Sequence, residues 1–273
     1  LTAIDSIVGT SFGRIAVRDS GGDGPAVLLI HGNSSNKDIF ARQFDSEIAK
    51  TYRLIAFDLP GHGESDDAAD PVKCYSLSGY ADLAVELLGL LGVDKAAVLG
   101  WSLGGHIGLE LTTRFTGLKG LMIVGAPPIS LADFAVGFLP GPAAPLSGQE
   151  IFSDADVETY ARATSWAHGE RDPAIVASVR RTDGRARSHL FAALASGAPF
   201  DHRHIAGAAA APLAILNGGD DRLINVGFFP TVTYANLWEG VLFVVPGVGH
   251  AAFREAPKVF NPLFARFLAS VLA

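Results

Sequence analysis

The sequence predicts an α/β fold, with a mostly parallel central sheet flanked by helices and a helical insertion between two of its strands. Three observations predict it. Short apolar runs of β type alternate with longer runs of helical period through the first 125 residues. The β-type runs are apolar almost throughout, as strands covered on both faces must be. After Ala126 the alternation stops at Pro127-Pro128, and it resumes at Leu213.

In chain order, residues 14–17 read as an outer strand, and 26–30, 54–57, 96–100 and 118–124 as central strands. Residues 75–91 and 103–115 carry apolar side chains at helical spacing. Pro140-Gly141-Pro142 and Pro145 then punctuate a stretch with helical patterning and no convincing strand, so 127–212 is expected to be an inserted helical unit. It closes across 199–212, where an Ala-rich segment leads into a strand at 213–216. A strand at 241–245 and a helix over 253–272 complete the pattern. The expected division is a core of 1–126 plus 213–273 and a cap of 127–212.

Composition limits the function. The 273 residues, 49% apolar and 18% charged, suit a soluble globular chain with a full core. Twenty-one Lys plus Arg against 28 Asp plus Glu give a net charge of −7, which disfavours nucleic acid as a partner. The single cysteine, Cys74, cannot form an internal disulfide, and the apolar runs are too short to span a bilayer. The start Leu1-Thr2-Ala3-Ile4-Asp5 carries no export signal, so a cytoplasmic location is expected. Nothing in the sequence sets the oligomeric state, and a monomer is compatible with it.

The chemistry centres on Gly100-Trp101-Ser102-Leu103-Gly104, a G-x-S-x-G element directly after an apolar strand and before a helical run. Such a turn thrusts the Ser102 hydroxyl out of the sheet as a nucleophile. A serine hydroxyl needs a base, and His250, on the turn after strand 241–245, is the best placed of the eight histidines. His31 and His62 sit in Gly-flanked turns and read as structural. His106 lies on the helix behind the elbow, and His168 and His189 lie in the insertion. The carboxylate that orients the imidazole should follow strand 213–217, where Gly218-Gly219-Asp220-Asp221 offers either aspartate on spacing alone. The developing oxyanion needs donors, and the Leu103 N–H with the Gly32-Asn33 segment after strand 26–30 can supply them.

Taken together these residues resemble the α/β-hydrolase family along nearly the whole chain. His31-Gly32, Asp58-Leu59-Pro60-Gly61-His62-Gly63-Glu64-Ser65, the Ser102 elbow, Gly218-x-x-Asp221 and Gly249-His250 occur in the family's order. The resemblance selects Asp221 as the acid and implies that 127–212 caps the active site. Further segments resemble the α/β-hydrolase type of N-acyl-homoserine lactone lactonase. Among them are His31-Gly32-Asn33-Ser34-Ser35, Gly148-Gln149-Glu150-Ile151-Phe152-Ser153, Arg181-Thr182-Asp183-Gly184-Arg185-Ala186-Arg187 and Asn236-Leu237-Trp238-Glu239-Gly240. That similarity implies an oxyanion role for Asn33 and substrate contact for Tyr160. One departure is that a member of this group carries Glu where this chain has Asp221.

The expected activity is therefore serine carboxylic-ester hydrolysis that opens the lactone ring of N-acyl-homoserine lactones and also cleaves short-chain esters. Trp101 and the insertion aromatics Phe134, Phe138, Phe152, Tyr160 and Trp166 are the candidates to line an apolar acyl pocket. A general carboxylesterase uses the same parts, and a C–C bond hydrolase, a cofactor-free haloperoxidase or a hydrolase-fold ligand receptor are the remaining readings. No cofactor is expected. The His202-Arg203-His204 pair lacks further ligands at metal spacing and reads as two exposed histidines at a hinge, so no metal is expected either.

Overall fold

The computed structural model describes residues 3–165, 170–196 and 200–273. Leu1, Thr2, Trp166, His168 and Pro199 fall outside the described residues. Eight described strands form one sheet: β1 (Ile4–Thr10), β2 (Gly13–Asp19), β3 (Ala26–Ile30), β4 (Arg53–Phe57), β5 (Ala96–Trp101), β6 (Leu118–Val124), β7 (Leu213–Gly218) and β8 (Leu237–Val245). Their order is β1-β2-β4-β3-β5-β6-β7-β8. The β1/β2 and β2/β4 pairs are antiparallel, and the rest of the sheet is parallel.

Side chains alternate along each central strand and enter two separate core layers. Leu28 and Ile30 face one layer with Val98, Leu121 and the helix α1 (Leu77–Leu90). Val27 and Leu29 face the other with Leu99, Met122 and the C-terminal helix. Both faces being covered, the strands must be apolar at every position, which is the pattern that made them legible. Helix α2 (Leu103–Arg114) packs on the α1 side through Ile107 and Leu111.

Between β6 and β7 the chain forms α3 (Asp154–Ser165), α4 (Pro173–Arg181), α5 (Gly184–Ala195) and α6 (His202–Ala208), with short single turns before them. Val157, Ile175 and Val179 extend one core layer, and Ala186, Leu190 and Ala206 the other. The insertion therefore straddles the carboxyl edge of the sheet.

Three expectations change. The strand near residue 14 is second from the edge, because β1 covers it; β1 is exposed over most of its length and so carries no apolar period to read. The last strand begins at Leu237, not Val241, and bulges at Glu239 and Gly240, both in the left-handed region at φ 54° and 66°. The last helix is broken at Ala256 into a turn, Ala252–Glu255, and α7 (Pro257–Val271), since Pro257 favours a helix's first turn over its interior. Among the described residues no helix is long and apolar enough to cross a membrane.

Helix α1 supplies a matched test of this packing. A Cβ on Gly89 meets nothing within 4 Å, whereas one on Gly79 would lie 2.3 Å from the Lys73 carbonyl oxygen. Gly89→Ala should raise stability by about 0.5–1 kcal/mol through helix propensity. Gly79→Ala should instead lower it by about 1–3 kcal/mol through overpacking, as read from chemical denaturation of each variant.

Candidate active site

Ser102 forms the turn between β5 and α2, and its backbone stands at φ 53°, ψ −119°. That conformation is costly for a residue with a side chain, on the order of 1–3 kcal/mol. The turn is held by close backbone approach. A Cβ on Gly104 would lie 2.0 Å from the Ile30 carbonyl oxygen, and one on Gly100 would lie 2.2 Å from that of Gly104. Both glycines of the G-x-S-x-G element are thus sterically required. Leu103 is the first residue of α2, so its N–H is one of the helix's unpaired donors and lies at the positive end of the dipole.

His250 follows β8 and is buried. Its Nδ1–H donates to Asp221 Oδ2 at 2.7 Å. The second oxygen of Asp221 accepts the Leu223 and Ile224 backbone N–H groups at 2.8 and 3.1 Å, and Asn217 Nδ2 reaches Oδ2 at 3.3 Å. This carboxylate is fixed by four donors. With Nδ1 committed as the donor, His250 Nε2 carries the lone pair, and among the described residues no protein group bonds to it. Gly125, at the end of β6, backs the ring: a Cβ there would lie 2.8 Å from His250 Cε1. Asp220 is exposed, and its N–H bonds to the Val248 carbonyl.

The loop after β3 is locked from below. His31 Nδ1–H donates to the Gly32 carbonyl and its Nε2 accepts the Leu59 N–H, at 2.8 and 3.0 Å. Burial pushes the His31 pKa down to about 4 and, with His31 as neighbour, that of His62 to about 3. Asp58 accepts the Lys37 and Glu64 N–H groups, while the buried Lys37 ammonium reaches Glu64 at 2.6 Å. These buried side chains spend their bonds on the backbone of the loops and on one another.

Gly32 packs so closely on the elbow that a Cβ on it would lie 3.1 Å from Ser102 Cβ. Asn33 then points at the insertion, where its Nδ2 donates to the Ser147 carbonyl at 3.0 Å. A cavity opens here, lined at one end by Asn33, Ser102, Leu103, Ser147, Tyr160 and His250. Burial raises the Tyr160 pKa, so the phenol keeps its proton. The other end is walled by Phe134, Phe138, Leu190, Phe191, Leu194 and Phe200, and His106 contributes to the wall.

Two candidates lie elsewhere. Trp101 shares the strand face of Leu99, so its indole is buried in the α7-side layer, donates to the His250 carbonyl at 3.0 Å and packs on Phe253. Phe152 sits behind Tyr160, with the Arg187 guanidinium 3.8 Å above its ring. Trp166 lies outside the described residues. His202, expected to be exposed, is fully buried, because it pairs with His106 and with Glu110.

Sequence reasoning passed over Arg187, which donates to the Gln149 and Glu150 carbonyls and to Ser34 Oγ at 2.7, 2.9 and 3.1 Å, tying three segments together. It also passed over Asn217 and Gly125. A Gly at the end of an apolar strand was the available signal for Gly125; for Asn217 there was none beyond its place before the Gly218 turn.

Residues 27–263 match the Alpha/beta hydrolase family. Among solved structures, a Glu-to-Gly variant of the N-acyl homoserine lactonase AidH, complexed with N-hexanoyl homoserine, is 47% identical with a TM-score of 0.96 over 99% of this chain and 98% of its own. A 2-hydroxy-6-oxononadienedioate/2-hydroxy-6-oxononatrienedioate hydrolase from Pseudomonas sp is 25% identical over 97% of this chain and 95% of its own. Proteins from Mycobacterium bovis and Mycobacterium tuberculosis are 35% identical over 103 residues, and the matched region spans 29% of their length.

The geometry yields three tests. Ser102→Gly should be inactive and more stable by about 1 kcal/mol, because glycine releases the backbone strain, as a thermal melt would show. Asp221→Asn should lower kcat by about 10³- to 10⁴-fold, and Asp220→Asn by far less. A neutral His62 withholds a proton that the unfolded chain takes up below its ordinary pKa of 6.5. Stability should therefore fall as pH drops from about 6.5 towards about 3, and His62→Gln should flatten that decline by about 1.4 kcal/mol per pH unit in denaturation series.

Proposed function

The chain belongs to the alpha/beta hydrolase family and is a homologue of an N-acyl homoserine lactonase; from that premise we propose that it hydrolyses N-acyl homoserine lactones by opening the lactone ring. The observation that carries this reading is that the likeness runs through the insertion as well as the core. The insertion supplies the apolar arm, and hydrolases with different substrates differ there.

In this reading Ser102 Oγ attacks the ring carbonyl and passes its proton to His250 Nε2, while Asp221 stabilises the imidazolium. The negative charge that develops on the carbonyl oxygen is met by backbone N–H groups of Leu103 and of the Gly32-Asn33 segment. Each such donor is worth about 10²- to 10³-fold in rate. His250 then protonates the leaving ring oxygen. That alcohol stays tethered to the acyl-enzyme, so water activated by His250 must release the acid before the ring closes again. The phenol of Tyr160 and the amide of Asn33 lie where the substrate's own amide would sit. The acyl chain extends along Phe134, Phe138, Phe191 and Phe200, whose burial of each chain CH₂ contributes about 0.8 kcal/mol.

The helical segment 127–212 acts as a cap over this site in the proposal, and the substrate is a small ester or lactone with an apolar chain. Linear short-chain esters fit the same machinery. A cytoplasmic location agrees with a buried, unpaired Cys74, whose thiol burial pushes up to about 12.

Mass spectrometry of N-hexanoyl homoserine lactone incubated with the enzyme tests this directly, with buffer and the Ser102→Ala protein as controls. The expected product is the intact acyl amide plus one water, formed only by the unaltered enzyme. Release of hexanoic acid would mean amide cleavage, and no turnover alongside hydrolysis of simple esters would reduce the reading to an esterase.

A further inference from the structure

Among the described residues His106 is the one ionisable side chain in the apolar arm of the cavity. Its Nδ1 lies 3.0 Å from His202 Nδ1, the two rings lie nearly parallel, and His202 Nε2 lies 3.1 Å from Glu110 Oε1. Glu110 also pairs with Arg114, and its bonds to His202 and Arg114 hold its carboxyl below the usual range. Nothing in the acyl-transfer scheme proposed above uses this chain of three groups.

The proton positions along the chain follow from Glu110 outward. An ionised carboxylate only accepts, so His202 Nε2 carries a hydrogen. His202 is fully buried and burial lowers its pKa, so it is neutral and its Nδ1 is an acceptor. His106 Nδ1 must then be the donor. Burial also lowers the His106 pKa, which leaves Nε2 as a bare lone pair. Among the described residues no protein group bonds to it, and the ring forms part of the cavity wall beside Phe138 and Phe200.

The position of that lone pair along the substrate is set by the helix. His106 lies four residues after Ser102, about 6 Å along α2. In an extended N-acyl homoserine lactone, five bonds separate the ring carbonyl carbon from C3 of the acyl chain, again about 6 Å. A hydroxyl at that carbon can donate to Nε2, whereas a ketone presents a second acceptor to it.

We propose that His106 determines specificity: its Nε2, oriented by His202 and Glu110, accepts a hydrogen bond from a hydroxyl on the acyl chain, so that 3-hydroxyacyl lactones are preferred to 3-oxoacyl ones. This rests on the lactone reading of the site.

Calorimetric binding to the inactive Ser102→Ala protein separates recognition from turnover. The ligands are N-(3-hydroxyhexanoyl), N-(3-oxohexanoyl) and N-hexanoyl homoserine lactone. The hydroxy ligand should bind about tenfold more tightly than the oxo ligand, the size of one neutral hydrogen bond. Adding His106→Leu should bring the two within about twofold. His106→Gln, which keeps an acceptor and adds a donor, should narrow the gap only in part, and it serves if the Leu variant does not fold. Equal binding of the two ligands, a preference for the oxo ligand, a ratio unmoved by His106→Leu, or no binding at all would each overturn the proposal. If the ratio shifts as expected but the unaltered enzyme opens no lactone, the functional reading fails and the role of His106 stands.

Discussion

The contact between Gly104 and the last carbonyl of β3 is the constraint from which the rest of the site follows. It allows α2 to begin almost against the backbone of the neighbouring strand, with no side chain between. β3 and β5 are adjacent, yet the chain leaves β3 towards β4 on one side and leaves β5 towards β6 on the other. Their carboxyl ends therefore diverge and open a crevice, the place where open α/β sheets hold ligands. Ser102 and Asn33 stand on its two lips. A side chain at position 104 would push those lips apart, and the Leu103 amide would no longer converge with the β3 loop.

The polar groups around this crevice are satisfied in opposite ways. Asp221 is bonded on both oxygens and holds His250 through Nδ1, and among the described residues the one atom of the pair left without a partner is Nε2, the lone pair that the proposed base needs. Arg187, buried in the insertion, is met among the described residues by carbonyls and a hydroxyl instead of a carboxylate. It thereby fastens the loop after β3, the Gln149-Glu150 turn and α5 to one another without placing a carboxylate at its guanidinium, which suits the proposed reaction, in which negative charge develops nearby. A guanidinium suits this better than an ammonium, because its planar fork reaches three acceptors at once and its face lies on Phe152.

Much of the core was readable because burial on both faces forces continuous apolar runs, and the nucleophile turn because its glycines are sterically required. His250 was readable from its place after a strand. The choice between Asp220 and Asp221 was not: they are equivalent on spacing, and what separates them is that Asp221 is buried against His250 whereas Asp220 is exposed. Trp101 was misread because adjacency to Ser102 in sequence says nothing about which face of β5 its ring takes. His202 was misread for a related reason, since a histidine in a polar run looks exposed until the partner that buries it, His106 on a distant helix, is in place. β1 left no trace because an edge hairpin exposed to solvent needs no apolar period.

The bulge at Glu239 and Gly240 has an effect on how copies of the molecule meet. β8 is the last described strand of the sheet, and it carries Val241 and Val244, each more than two-fifths exposed, along an edge with no described strand beyond it. A straight strand of that composition would invite a second chain to pair and extend the sheet. Two consecutive left-handed residues kink it instead, so the strand offers only short straight stretches, too brief to seed a continuous intermolecular ladder. The irregular register against β7 is thus also a guard against aggregation.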